Sequence, residues 1–108
     1  MGHLLSSAIK MQGVAATTIE INNFGGVIVS WEKNGVGQGS VIGTLNATLT
    51  AGDTFMVTAS NPFDEGANID YYLNGSYVTS YFDLSIAQTP TITSAAGNAY
   101  RFDCSNGA

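Results

Sequence analysis

Residues 69–82 read IDYYLNGSYVTSYF, and the fold turns on their pattern. Asn74-Gly75 supplies the two consecutive positive-φ residues that a type I′ turn requires, so the pair closes a two-residue hairpin. Its arms, Ile69 to Leu73 and Ser76 to Phe82, are rich in aromatic and β-branched side chains that suit a pleated sheet. A two-residue loop sets Leu73 opposite Ser76, Tyr72 opposite Tyr77, Tyr71 opposite Val78 and Asp70 opposite Thr79. Strict alternation then predicts a core face of Ile69, Tyr71, Leu73, Val78 and Phe82. The other face carries Asp70, Tyr72, Tyr77, Thr79 and Tyr81.

The same period of two runs outward in both directions. Ile19 and Ile21 share a face of the stretch Thr17 to Asn22. Val27, Val29 and Trp31 share a face of Gly26 to Lys33, a register that favours burial of Trp31 over an exposed platform for a sugar ring. Asn34-Gly35 is a second type I′ turn, and Gly37 and Gly39 loosen its returning arm enough to predict a bulge. Val41 to Thr50 places Leu45, Ala47 and Leu49 together, and Thr54 to Ser60 places Phe55, Val57 and Ala59 inward. Asn61 to Asn68 breaks the pattern as a loop. Ala87 to Thr89 precede Pro90, and Thr91 to Ser94 then reads as a short edge strand. The last strand, Asn98 to Cys104, sets Tyr100, Phe102 and Cys104 on one face, and 105–108 reads as a frayed tail.

Strands at this spacing, with no helix able to cross over a parallel sheet, predict an all-β fold. The expected form is an antiparallel β-sandwich, or a jelly-roll or Greek-key barrel, of about seven or eight short strands in one domain over 17–104. Residues 1–16 stand apart. Leu4, Leu5, Ala8, Ile9 and Gln12 follow helical spacing, so this segment is one or two turns of helix or an extended arm. It has no basic leader region, and Lys10 interrupts the apolar run that a secretory signal needs.

Composition narrows the function classes. Only 10% of the 108 residues are charged, against about 25% in ordinary domains, while 44% are hydrophobic. Three Lys and Arg against eight Asp and Glu give a net charge of −5, the wrong footprint for nucleic acid. No apolar run reaches the roughly 18 residues of a membrane-spanning helix. One cysteine, Cys104, excludes an intrachain disulfide, and its place on an apolar strand face reads as a small core hydrophobe. The one histidine, His3, sits in the arm, where nothing rigid orients it as a general base. No catalytic set emerges, and no enzymatic activity is expected.

Two groups of residues read as candidate sites. Asp64, Glu65, Asn68 and Asp70 offer the oxygen ligands that Ca²⁺ takes, although not in the order of an EF-hand loop; no other cofactor is expected. Tyr72, Tyr77, Thr79 and Tyr81 form an aromatic, polar-tipped face of the kind enriched at contact surfaces. With Leu4, Leu5 and Ile9 of the arm, that face is the expected interface. The functional expectation is a structural subunit of a virion (a phage capsid vertex, decoration, spike or tail component) that works as a homo-oligomer with other structural proteins of the assembly. The alternative is a carbohydrate-binding or adhesin-like module, extracellular or at the cell surface, holding a glycan on the tyrosines or the loop.

Overall fold

Alternating apolar side chains leave each segment with one oily face, and two sheets bury those faces against each other. The computed structural model describes residues 15–107, and ten strands lie within them: β1 (Thr17–Asn23), β2 (Ile28–Lys33), β3 (Val36–Val41), β4 (Thr44–Leu49), β5 (Thr54–Ser60), β6 (Ala67–Leu73), β7 (Ser76–Asp83), β8 (Ile86–Gln88), β9 (Ile92–Thr93) and β10 (Ala99–Asn106). One sheet runs β4-β1-β10-β6-β7; the other runs β3-β2-β5-β8, with β9 also paired to β5. The fold is the expected all-β sandwich.

One pairing departs from the antiparallel expectation. β10 lies parallel to β1, with Ile19 beside Tyr100 and Ile21 beside Phe102. Its other edge is antiparallel to β6, with Phe102 opposite Tyr71 and Cys104 opposite Ile69. The last strand therefore fills the centre of its sheet. It runs to Asn106, two residues past its expected end, with Ser105 and Asn106 paired to Asn68 and Ala67.

The core sits between the sheets. Ile19, Ile21, Phe102, Cys104 and Ile69 from one sheet meet Val29, Trp31, Phe55, Val57 and Ala59 from the other. Phe102 stacks on Tyr71 at 4.9 Å and 10°, and meets the edge of Phe55 across the layers at 5.8 Å. Trp31 is buried as expected, although its indole N–H has no hydrogen-bond partner. Pro90 separates β8 from β9, where it has no N–H to give the ladder. Thr89 bridges the break: its hydroxyl accepts from Val57 N at 3.1 Å and donates to the Pro90 carbonyl at 2.9 Å.

Both Asn-Gly turns form as predicted, with φ of 54° and 77° at Asn34 and Gly35 and of 52° and 84° at Asn74 and Gly75. The expected irregularity in β3 is present as a register shift opposite Ser30 to Glu32. The β6–β7 hairpin holds an unexpected one. Tyr72 faces Tyr77 as predicted, but Tyr71 faces Thr79 rather than Val78, and Asp70 faces Ser80 rather than Thr79. Val78 is an extra residue in a β-bulge, and beyond it every side chain changes face. Val78 and Phe82, expected in the core, are 49% and 56% exposed. Thr79 and Tyr81, expected outside, stand opposite buried Tyr71 and Ile69, and Tyr81 packs against the core.

This inversion has a measurable consequence. Tyr81→Ala should cost about 1–3 kcal/mol in chemical denaturation, by removing packing from the core. Val78→Ala should stay within about 0.5 kcal/mol, as surface changes do. The opposite ranking would restore the unbulged register.

Candidate functional site

The outer face of the β4-β1-β10-β6-β7 sheet carries a continuous polar ladder. Register aligns Asn46, Glu20, Arg101, Tyr72 and Tyr77 in one row across five strands. The next row is Thr44, Asn22, Asp103, Asp70 and Ser80. Two of the four tyrosine-face residues expected from sequence thus remain together: the Tyr72 and Tyr77 rings meet edge-on at 5.7 Å. Thr79 and Tyr81 belong to the inner face, for the bulge has turned them away.

Arg101 was not legible as a partner of these rings, because nothing local says that β10 lies beside β6. Its guanidinium lies 4.0 Å from the Tyr72 centroid, a cation–π geometry worth about 0.5–1 kcal/mol where exposed. Its Nε is 3.4 Å from Asp103 Oδ1, an ion contact outside hydrogen-bond geometry. Asn22 Nδ2 donates to Glu20 Oε2 and Asp103 Oδ1, each at 2.8 Å, and Thr44 donates to Asn22 Oδ1 at 2.8 Å. A shallow depression of about 440 Å³ lies along this ladder, bordered by Thr18, Glu20, Asn46, Thr48 and Arg101. Two aromatic rings, one cation, three carboxylates and several amide and hydroxyl groups make the ladder a polar contact surface.

The four calcium candidates are not drawn to one centre. Asp64 accepts from the Ser85 hydroxyl at 2.5 Å, in the loop before β6. Asp70, inside β6, accepts from Asn68 at 2.8 Å and from Ser80 at 2.6 Å. Among the described residues no three acidic, His or Cys side chains gather as a metal site. Leu4, Leu5 and Ile9 of the arm, with His3, lie outside the described residues.

A second surface had no signal in periodicity, since its residues come from five separate turns and strand ends. The β1–β2, β3–β4, β5–β6 and β7–β8 connections and the end of β10 share one end of the sandwich. Phe24, Ile42, Phe63 and Leu84 sit in these connections, with exposures of 69%, 89%, 78% and 59%. Ile28, Phe82 and Ile86 add more exposed apolar surface at the adjoining strand ends. Val36, Tyr77 and Val78 are the other large exposed hydrophobics among the described residues, and they stand beside the two Asn-Gly turns at the opposite end.

Hydrogen bonds hold this apolar end in shape. Asn23 Nδ2 donates to the Val27 and Val41 carbonyls at 3.2 and 3.1 Å, and its Oδ1 accepts from Gly25 N at 2.9 Å. Buried Asn61 does the same for the β5–β6 loop, donating to Gly66 O at 2.8 Å and accepting from Phe63 N at 2.9 Å. Asp83 Oδ2 accepts from Ser85 N and Ile86 N at 2.9 and 3.0 Å. Those two bonds hold its carboxyl below the ordinary value of 3.8. Phe63 and Leu84 are therefore presented by a fixed frame.

No protein-family model and no curated protein matches the chain. Solved structures of the major pilin from Streptococcus pyogenes are similar in fold. One mutant form superposes with a TM-score of 0.50 at 12% identity, and a second with 0.47 at 12%. Each alignment covers 85% of this chain and 48% of the pilin, so the chain spans about half the pilin's length. At that identity the likeness is one of fold.

Cys104 is fully buried, and its thiol is pushed up to about 12, first by burial and then by the nearby charges of Asp103 and Asp70. A raised thiol value stabilises the fold fully below the ordinary 9.0, and the contribution is lost as pH rises toward 12. Wild type should thus lose stability relative to Cys104→Ala as pH climbs through that window. At pH 8, a thiol reagent should label Cys104 only in denaturant; rapid labelling of the native protein would contradict the burial.

Proposed function

We propose that this chain is a structural subunit that works by assembling with copies of itself. The observation that carries the reading is the apolar end of the sandwich. Phe24, Ile42, Phe63 and Leu84 are more than half exposed on a hydrogen-bonded frame. Large side chains clustered on a rigid surface mark protein contact sites. The low charge supports the same reading, because the cores of interfaces are depleted of charged residues.

Two settings suit such a subunit. The first is a virion, where the chain would be a capsid vertex, decoration, spike or tail component joined to other structural proteins. The second is a surface fibre or adhesin-like module outside the cell. Two observations favour the second: the fold is similar to that of a major pilin, and the Tyr72–Arg101 platform beside Glu20 and Asn46 has the groups that bind a glycan. In either setting the protein binds rather than catalyses.

Light scattering on the full chain across about 1–100 µM, the range where modest interfaces populate, tests the proposal. The mass should rise above the 11.2 kDa of one chain and settle at a closed oligomer or grow into filaments. A strict monomer throughout would overturn self-assembly. A glycan screen on the same sample separates the settings: binding that Tyr72→Ala abolishes supports the adhesin-like module.

A further inference from the structure

The apolar end is one pole of a polar molecule. At the other pole lie the Asn34-Gly35 and Asn74-Gly75 turns, the connection before β5, the connection before β10 and the start of β1. That pole is knit by polar groups. Asn34 Nδ2 donates to Asp53 at 3.0 Å, Asn74 Oδ1 accepts from Ala99 N at 2.8 Å, and Gly97 N donates to the Thr17 hydroxyl at 2.9 Å. Residue 15, where the described chain begins, lies here, its carbonyl next to Gly97.

We propose that residues 1–14 of one copy seat on the apolar pole of the next, so that copies join head to tail. The inference rests on the self-assembly reading above and specifies its contact. Three features select this occupant. Residues 1–14 read MGHLLSSAIKMQGV, with Leu4, Leu5, Ala8 and Ile9 at the spacing of one helical face. The described chain begins at the polar pole, where residue 15 lies, and end-to-end stacking brings that pole against the apolar pole of a neighbour. Fourteen residues reach at most about 50 Å extended and about 21 Å as helix, enough to cross such a junction.

Charge makes the third argument. Residues 1–14 carry Lys10 and no acidic side chain, so all eight Asp and Glu lie in the body. Three of them, Asp64, Glu65 and Asp83, belong to the apolar pole. The two cations of the described residues lie away from it, Lys33 at the far end of β2 and Arg101 on the sheet face. Two apolar poles set face to face would gather six carboxylates with no cation between them. A lysine-bearing apolar segment fits where a second pole does not. A contact that joins unlike surfaces is heterologous, so it closes into a ring or grows into a filament.

The test uses two variants of the full chain. Leu5→Asp/Ile9→Asp spoils the donor segment, and Phe63→Asp/Leu84→Asp spoils the acceptor pole at two exposed positions. Thermal melting followed by circular dichroism should show that both stay folded. Each alone should raise the concentration at which mass first doubles by about tenfold or more. Mixed one to one, they should form dimers and nothing larger, since one intact donor meets one intact acceptor. A carbodiimide should join Lys10 to Asp64, Glu65 or Asp83 between copies, read by mixing ¹⁴N- and ¹⁵N-labelled chains.

Wild-type assembly that the acceptor variant leaves unchanged would overturn the docking while leaving self-assembly standing. Assembly lost in the acceptor variant and kept in the donor variant would instead mean pole-to-pole contact. Cross-links confined to chains of one label would place the segment on its own pole. Each of those two results also overturns the proposal. A wild type that stays monomeric removes the self-assembly reading itself.

Discussion

The insertion of β10 between β1 and β6 is the constraint on which the rest of this structure depends. Phe102 and Cys104 are fully buried there, with Ile19 and Ile21 on one side and Ile69 and Tyr71 on the other. Burying such side chains is worth about 1.5–3 kcal/mol each, and Phe102 also joins the layers through Phe55. Without β10, β1 and β6 would each present an unpaired edge in the middle of the sheet, a costly exposure of backbone donors and acceptors. The pairing joins residues about eighty positions apart, as in the hydrogen bond from Asn22 to Asp103. Contacts of such long range carry a large loop-closure entropy, which slows folding.

The same strand organises the outer surface. Its alternate residues, Arg101 and Asp103, are carried to the centre of the polar ladder because Tyr100, Phe102 and Cys104 must face inward. Arg101 covers Tyr72, and Asp103 accepts from Asn22. Core and contact face are two readings of one alternation. Asparagine does much of the remaining work: Asn23 and Asn61 frame the apolar pole, Asn34 and Asn74 the polar one. A neutral amide both donates and accepts, so a chain with 10% charged residues can order its loops without ion pairs.

The bulge at Val78 shows where local reading stops. Up to Tyr77 the hairpin obeys the register that its Asn-Gly turn dictates; beyond it one extra residue exchanges the two faces. Val78, Thr79, Tyr81 and Phe82 are all competent strand residues on either side, so nothing in their local preferences chooses. The choice belongs to the core, where Tyr81 packs with the buried cluster while Phe82 is left outside against the chain at Gly107. Half of the tyrosine face expected from sequence was therefore misplaced, and its true neighbour Arg101 went unseen. The four proposed calcium ligands differ in the same way: proximity in sequence did not make Asp64 and Asp70 neighbours in function, since each is engaged by its own serine.

What the sequence by itself determined is what period and turn chemistry encode within a few residues. These are the all-β class, both Asn-Gly hairpins, the inward faces of β1, β2, β4, β5 and β10, the burial of Trp31 and Cys104, and the irregularity in β3. Only the tertiary structure decided which strands lie side by side, that β1 and β10 run parallel, which face follows the Val78 bulge, and that seven of the ten large exposed hydrophobics of the described residues collect at one pole. The division has a physical origin. Alternation and positive-φ turns are set by each residue's own sterics and hydration. Partner choice is set by competition among apolar faces of similar composition, and only the assembled core, packed to the density of a solid, discriminates between them.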